Sequence, residues 1–194
     1  MFVKTFGLTG GIGMGKSTAA ELLRRRGLPV VDSDVIAREI VEPGRPVLAE
    51  VQRRFGMEIV GEDGRLRRDE LARRVFSDPV ARRDLEALLH PRIREIWQAQ
   101  LKSWRDEGTA VAVAVIPLLF ETNAQSCFDA TICVACSSST QRRRLLERGW
   151  SDAQIDQRNA AQLPVEQKLL LADYAIWTEG PLDVHEAQLG RIIP

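Results

Sequence analysis

From Gly10 to Thr18 the chain reads Gly-Gly-Ile-Gly-Met-Gly-Lys-Ser-Thr, which fits the spacing G-x-x-x-x-G-K-[ST]. Glycines at those positions let successive backbone N–H groups turn toward one point. Where such a turn opens a helix, the helix N-terminus adds partial positive charge at the same point. This is the chemistry of a polyphosphate cradle, lined by Gly11, Ile12, Gly13, Met14 and Gly15. Lys16 is suited to neutralise β- and γ-oxygens, Ser17 to coordinate Mg2+, and Thr18 to lie near the α-phosphate. A merely structural glycine turn fits the full pattern poorly, and a dinucleotide-binding turn has no use for Lys16-Ser17.

Further reactive residues follow. Asp32 and Asp34 come just after the short apolar run Val30-Val31. Parallel neighbouring strands end on one sheet edge, so a carboxylate past the second strand is expected beside phosphates held after the first. Phosphoryl transfer needs a carboxylate that accepts or orients the acceptor hydroxyl. Asp34, further past the strand, is better placed for that; Asp32 suits a metal's outer shell or a helix cap, and either residue alone could simply cap the next helix. Arg144 and Arg148, four apart, share one face if the segment is helical, and arginine's fork suits phosphate oxygens. Arg24 to Arg26 and Arg82-Arg83 read as solvated faces.

The chain lacks the base-reading Asn-Lys-x-Asp and the switch Asp-x-x-Gly of GTPases. Motor and transporter ATPases usually carry an acid directly at the end of a long apolar strand. Here Val111 to Ile116 runs into Pro117-Leu-Leu-Phe before Glu121. The small-molecule kinase plan remains: phosphate turn, carboxylate after the second strand, helical acceptor-binding insertion and arginine-bearing lid.

With 194 residues, 44% of them hydrophobic, the chain can build one core with an insertion. Its 27 basic and 27 acidic residues balance, so no overall field favours nucleic acid or an anionic membrane. Neither is expected as a partner. Three cysteines, an odd number, and no leader-like apolar start point to a reducing, cytoplasmic setting. The longest apolar run, Ala110 to Leu119, is too short for a membrane span. Cys133 and Cys136 form a C-x-x-C inside a strand-like run and read as small core residues rather than metal ligands.

Strand character recurs at Phe2 to Leu8, Val30 to Asp32, Val111 to Ile116, Thr131 to Ala135 and Tyr174 to Trp177, with helical periodicity between. The pattern predicts an α/β fold: a five-stranded parallel sheet of P-loop kinase type with helices on both faces. One domain, 1–194, is expected, with core segments 1–34, 109–137 and 173–194. The interval 35–108 reads as a helical acceptor-binding insertion, with a turn at Glu62-Asp-Gly64 and helical spacing of Leu85, Leu88, Leu89, Ile93, Ile96 and Trp97. The arginine-rich stretch 138–172 reads as a helical lid.

These residues in this order resemble the dephospho-coenzyme A kinase family over nearly the whole chain. The markers are GLTGGIGMGKS from Gly7, VVDSDVIAREIVEPG from Val30, the Gly64 to Phe76 stretch with Arg68 and Leu71, LLHPRI from Leu88, VIPLLFE ending at Glu121, then Arg144, Arg148, Gln162 and Ala172-Asp173. The resemblance implies ATP-dependent phosphorylation of the ribose 3′-hydroxyl of dephospho-CoA, with Mg2+ accompanying ATP. It implies Asp34 as catalytic carboxylate, with Lys16, Arg144 and Arg148 stabilising the transferring group. It further implies Arg38, Arg68 and His90 on the acceptor, along with Pro117, Leu118 and Glu121. His90 could instead be a capping or turn histidine before Pro91, and Glu121 a metal-side or structural residue. Three positions depart from the family: Met14 for a small residue, Gly149 where an aspartate usually precedes the glycine, and Thr178 for an asparagine near the adenine.

Overall fold

The computed structural model describes residues 3–194. Five strands, β1 (Lys4–Thr9), β2 (Val30–Asp32), β3 (Val111–Val115), β4 (Ala130–Ala135) and β5 (Tyr174–Trp177), pair in parallel in the order β2-β3-β1-β4-β5. They match the expected runs within one or two residues; the start read at Phe2 lies outside the described residues. β2 is a three-residue edge strand with each residue half-buried. One expectation is corrected: β2 is not the neighbour of β1, because β3 lies between them. The ends of β1 and β2 leave the same sheet edge about two strand spacings, roughly 9–10 Å, apart.

The two sheet faces differ in side-chain size, and this sets what covers them. Phe6, Leu8, Val113, Val115, Ile132, Val134 and Ile176 pack with Ala19, Ala20, Leu22 and Leu23 of α1 (Lys16–Arg25) and with Leu189 of α9 (Leu182–Ile192). The alternate positions, among them Gly7, Ala112, Ala114, Thr131 and Cys133, are small. Chain therefore lies close on that face: a Cβ on Gly7 would come 2.5 Å from Leu119 Cδ1 and 2.8 Å from Phe128 Cδ2. Cys133 is fully buried there, and burial pushes its thiol up to about 11, so it is inert at neutral pH.

One device fastens the start of two strands. Asp129, just before β4, accepts from Thr5 N at 2.7 Å and Thr5 Oγ1 at 2.8 Å on β1. Asp173, just before β5, accepts from Thr131 N at 2.7 Å and Thr131 Oγ1 at 2.8 Å on β4. Both carboxyls titrate below their ordinary range because these threonine hydrogen bonds favour the ionised form.

The chain divides into two compact units, one running up to Asp32 and resuming as Gln100–Pro194, the other Ser33–Ala99. The 138–172 stretch falls within the first unit as α6 (Ser138–Leu146), α7 (Asp152–Ala160) and α8 (Val165–Leu171). The second unit holds α2 (Ser33–Glu39), α3 (Pro46–Phe55), a 3-10 turn at Met57–Ile59, α4 (Arg68–Ser77) and the residues of α5 (Pro79–Asp106) up to Ala99. Its core includes Leu48, Val51, Phe55, Ile59, Leu71, Val75 and Trp97, whereas Ile96, expected on the apolar face, is 43% exposed. The expected turn forms around Gly64 at φ 74°, closed by Gly61 N to Arg65 O at 2.8 Å and a Val60–Leu66 bridge. Among the described residues no helix is long and apolar enough to cross a membrane.

Replacing Asp173 by Ala leaves Thr131, which is 4% exposed, without its acceptor. Urea unfolding should show a loss of about 1 kcal/mol. An unchanged midpoint would mean that water substitutes for the carboxylate at no cost.

Candidate active site

The phosphate turn leaves β1 and enters α1 through Gly15, whose left-handed conformation (φ 98°) forms the helix N-cap. Gly10 (φ 146°) runs so close to β4 that a Cβ there would sit 2.2 Å from the Val134 carbonyl oxygen. At Gly13 (φ 68°) a Cβ would meet Leu145 of α6 at 2.9 Å. Ser17 and Thr18 stand exposed on the first turn of α1. The Lys16 ammonium donates to Gly10 O at 2.8 Å and Gly11 O at 2.9 Å. Met14 is 3% exposed and packs with Ala135, Cys136, Val165 and Leu169. The residue that departs from the family pattern is thus a core anchor for the turn.

Two further carbonyls of the turn receive side-chain donors. Gln141 Nε2 donates to Ile12 O at 2.8 Å and to Asn159 Oδ1 at 3.1 Å. Thr178 Oγ1 donates to Met14 O at 3.0 Å. Arg144 reaches the same threonine twice, Nη1 to Oγ1 at 3.0 Å and Nη2 to the backbone oxygen at 2.6 Å. Beside it Glu179 accepts from Ser137 N at 2.8 Å and from the Ser137 hydroxyl, which itself caps α6. Hydrogen bonds from Ser137 first, then Thr140, hold the Glu179 carboxyl at about 2. Ser137, Gln141 and Arg144 recur at helical spacing, so one face of α6 carries all of these ties. His185 of α9 is buried, and burial first, then the charge of Arg144, keeps it toward its neutral form.

Arg148 stands apart from this face. α6 ends at Leu146, and Arg148 lies exposed in the following turn, its N–H bonded to Leu145 O at 3.1 Å. The shared helical face expected for Arg144 and Arg148 does not form. Nearby, Arg142 pairs with Asp152 and Asp156, and Arg158 stacks 4.5 Å from the Trp150 ring centre.

The segment after β3 is fastened by a buried cation. Lys168 is 0% exposed; its ammonium donates to Pro117 O at 2.6 Å and pairs with Glu121 Oε1 at 2.8 Å. Thr9 Oγ1 donates to Pro117 O as well, at 3.1 Å, and Leu163 N donates to Glu121 Oε1 at 2.8 Å. Both of these partners tie Glu121 into the fold. Leu118 O accepts from Thr122 Oγ1 at 2.7 Å within the same turn.

Asp32 is the last residue of β2, and Asp34 lies within the first turn of α2 rather than capping it. Inside the second unit, Arg68 Nη2 donates to Arg38 O at 3.2 Å and lies 3.5 Å from Glu42 Oε1. That brings together two arginines 30 positions apart. His90 is neither a cap nor a turn residue: it sits inside α5, which continues through Pro91. Burial lowers its pKa, opposed by Glu86.

Gln141, Asn159, Lys168 and Glu179 are not among the residues expected from sequence, and Thr178 is expected there only as a departure from the family pattern. The spacing of Ser137, Gln141 and Arg144 was a usable signal for the α6 face. Lys168 had none, since its partners are 47 and 51 positions away.

Comparison with known proteins agrees with this architecture. A family model described as Dephospho-CoA kinase matches residues 4–183. A dephospho-CoA kinase of Anaeromyxobacter dehalogenans is 43% identical over 192 residues, covering 98% of this chain and 91% of that protein. One of Bdellovibrio bacteriovorus is 43% identical over 174 residues, covering 90% and 87%. A Thermus thermophilus crystal structure aligns with a TM-score of 0.84 at 36% identity, covering 100% of this chain and 97% of that one. Dephospho-CoA kinase from Campylobacter jejuni, at 24% identity and a TM-score of 0.70, shares the fold over 99% and 96%.

Two outcomes test the ties described above. Glu121→Ala leaves the buried Lys168 ammonium without its counter-charge and should cost about 3 kcal/mol in denaturant unfolding. Glu121→Ala with Lys168→Met should cost clearly less, because no unpaired charge remains; equal losses would mean the pair is not the source. Glu179 titrates at about 2 against an ordinary 4.5, so folding favours its ionised form. Its contribution is complete above about pH 4.5 and is lost as pH falls through about 2. Between those values, stability should therefore fall more steeply in the parent protein than in Glu179→Gln; parallel curves would remove Glu179 from the account.

Proposed function

Because the chain belongs to the dephospho-CoA kinase family, we propose that Lys16, Asp34, Arg144 and Arg148 carry out its phosphoryl transfer. The reaction is the ATP-dependent phosphorylation of dephospho-CoA to CoA, the last step of coenzyme A biosynthesis. The observation that best supports the residue roles is the joining of cations to the phosphate turn: Lys16 on Gly10 and Gly11, and Arg144 linked through Thr178 to Met14.

Backbone N–H groups of the phosphate turn bind the β-phosphate of ATP, with Thr18 near the α-phosphate. Asp34 accepts the proton of the ribose 3′-hydroxyl as its oxygen attacks the γ-phosphorus; the bond to the β,γ-bridging oxygen breaks and ADP leaves. Lys16, Arg144 and Arg148 stabilise the charge spread over the transferring oxygens, where guanidinium geometry suits them.

Mg2+ is bound by few protein ligands together with phosphates, and the exposed Ser17 hydroxyl on the first turn of α1 is a hard oxygen donor of that type. Ser17 would hold the ion, with Asp32 in its outer shell; the metal would supply charge neutralisation on the β- and γ-oxygens. The second unit binds the acceptor. Arg38 and Arg68, joined by the Arg68 hydrogen bond, serve its phosphates, with His90, Pro117 and Leu118 as further contacts. Glu121 enters this reading indirectly, by fixing the Pro117 turn through Lys168. Three free thiols support a cytoplasmic setting.

Asp34→Asn should lower kcat by about a hundredfold or more while leaving ATP affinity nearly unchanged. The check is steady-state formation of CoA and ADP alongside nucleotide titration. Loss of nucleotide binding in parallel with turnover would remove Asp34 from the proton-accepting role.

A further inference from the structure

The three-residue link from Met14 to Thr178 to Arg144 makes no use of substrate, and it joins the phosphate turn to the one arginine of α6 that binds the β5–α9 turn. Thr178 is 6% exposed and is itself held rigidly: its N–H continues the β4–β5 ladder by donating to Ala135 O at 2.8 Å. Its hydroxyl has a single proton, given to Met14 O, so the oxygen lone pair faces Arg144 Nη1 as an acceptor. The threonine carbonyl takes Nη2 at 2.6 Å. Two acceptors on one residue thus fix both the position and the plane of the guanidinium, which a single contact to a flexible side chain does not do.

Neighbouring contacts reinforce that reading. Glu179 holds the Ser137 end of α6, Gln141 holds its second turn to Ile12, and Leu145 closes on Gly13. The helix bearing Arg144 is consequently registered against the phosphate turn at several points. The Thr178 methyl also fills the space beside Gly15, 3.0 Å from where a Cβ on that glycine would stand.

We propose that Thr178 is a positioning residue for the kinase reaction, orienting Arg144 relative to the phosphate turn through the Met14 carbonyl. The inference rests on the role given to Arg144 under the proposed function. A hydroxyl-bearing β-branched side chain meets the two demands of the place, since the oxygen links turn and arginine while the methyl packs at Gly15.

The test is a double-mutant cycle on turnover in the full chain with ATP, Mg2+ and dephospho-CoA. Thr178→Val keeps the shape and removes the hydroxyl; it should lower kcat about tenfold with KM for ATP changed by less than about twofold. Thr178→Ser restores the oxygen and should recover most of that loss. In an Arg144→Ala background, Thr178→Val should have no further effect, giving a coupling equal to its whole single-mutant loss. If Thr178→Val does not fold, as judged by thermal unfolding, Thr178→Cys takes its place in the cycle, because a thiol hydrogen-bonds poorly. Parent-like turnover of the hydroxyl-less variant, or a full loss that persists without Arg144, overturns the positioning role. Parent-like turnover of Arg144→Ala instead overturns the role of Arg144 itself, so the two failures are distinguishable.

Discussion

A peptide unit that turns its N–H inward must turn its carbonyl outward, and this constraint governs the surroundings of the phosphate turn. A cradle made of backbone donors leaves a set of carbonyl oxygens on its outer side, and buried carbonyls need donors. Here they come from elements beside the turn: Gln141 for Ile12 and Thr178 for Met14. Each donor lies on an element that the proposed reaction also needs. Satisfying the turn's backbone therefore draws α6 and the β5–α9 turn up to the site.

The sheet makes that convergence possible. Parallel pairing brings the ends of all five strands to one edge, and the order β2-β3-β1-β4-β5 puts the phosphate turn at the middle strand. β4 and β5 on one side deliver Val134, against which Gly10 turns, and Thr178. β3 on the other side delivers Pro117, whose carbonyl collects Thr9 and Lys168. Small residues on one sheet face let chain lie directly on the strands, as Leu119 and Phe128 do over Gly7.

Charge in this molecule is used in two ways that its zero net balance hides. Exposed pairs such as Arg25–Glu21 and Lys102–Asp106 decorate helices and are worth little. Lys168–Glu121 is different, because a fully buried ammonium has to be paired. Arg144 belongs to neither group: its fork is held by a hydroxyl and a carbonyl and keeps its charge uncompensated by either.

Much of the fold was legible because it rests on local patterns. Alternating apolar runs located all five strands, and eight motif positions located the phosphate turn, since N–H direction there depends on glycine and helix geometry within one short segment. The parallel sheet followed from the alternation of strands with helices. Strand order did not, because nothing local distinguishes a β1–β2 neighbour from a β1–β3 neighbour; pairing is decided by which crossovers pack. The same limit hid the supporting residues. In α8 (Val165–Leu171), Lys168 is buried and Leu170 is 86% exposed, the reverse of what side-chain type suggests. A carbonyl and a carboxylate from distant positions stand where the lysine points. Likewise the four-residue spacing of Arg144 and Arg148 suggested a shared face, but α6 stops at Leu146 and only Arg144 is held. Local chemistry and backbone propensity were thus determined by the sequence itself, while strand order and the partners of each buried polar group were decided by tertiary structure, because they depend on groups brought together only by folding.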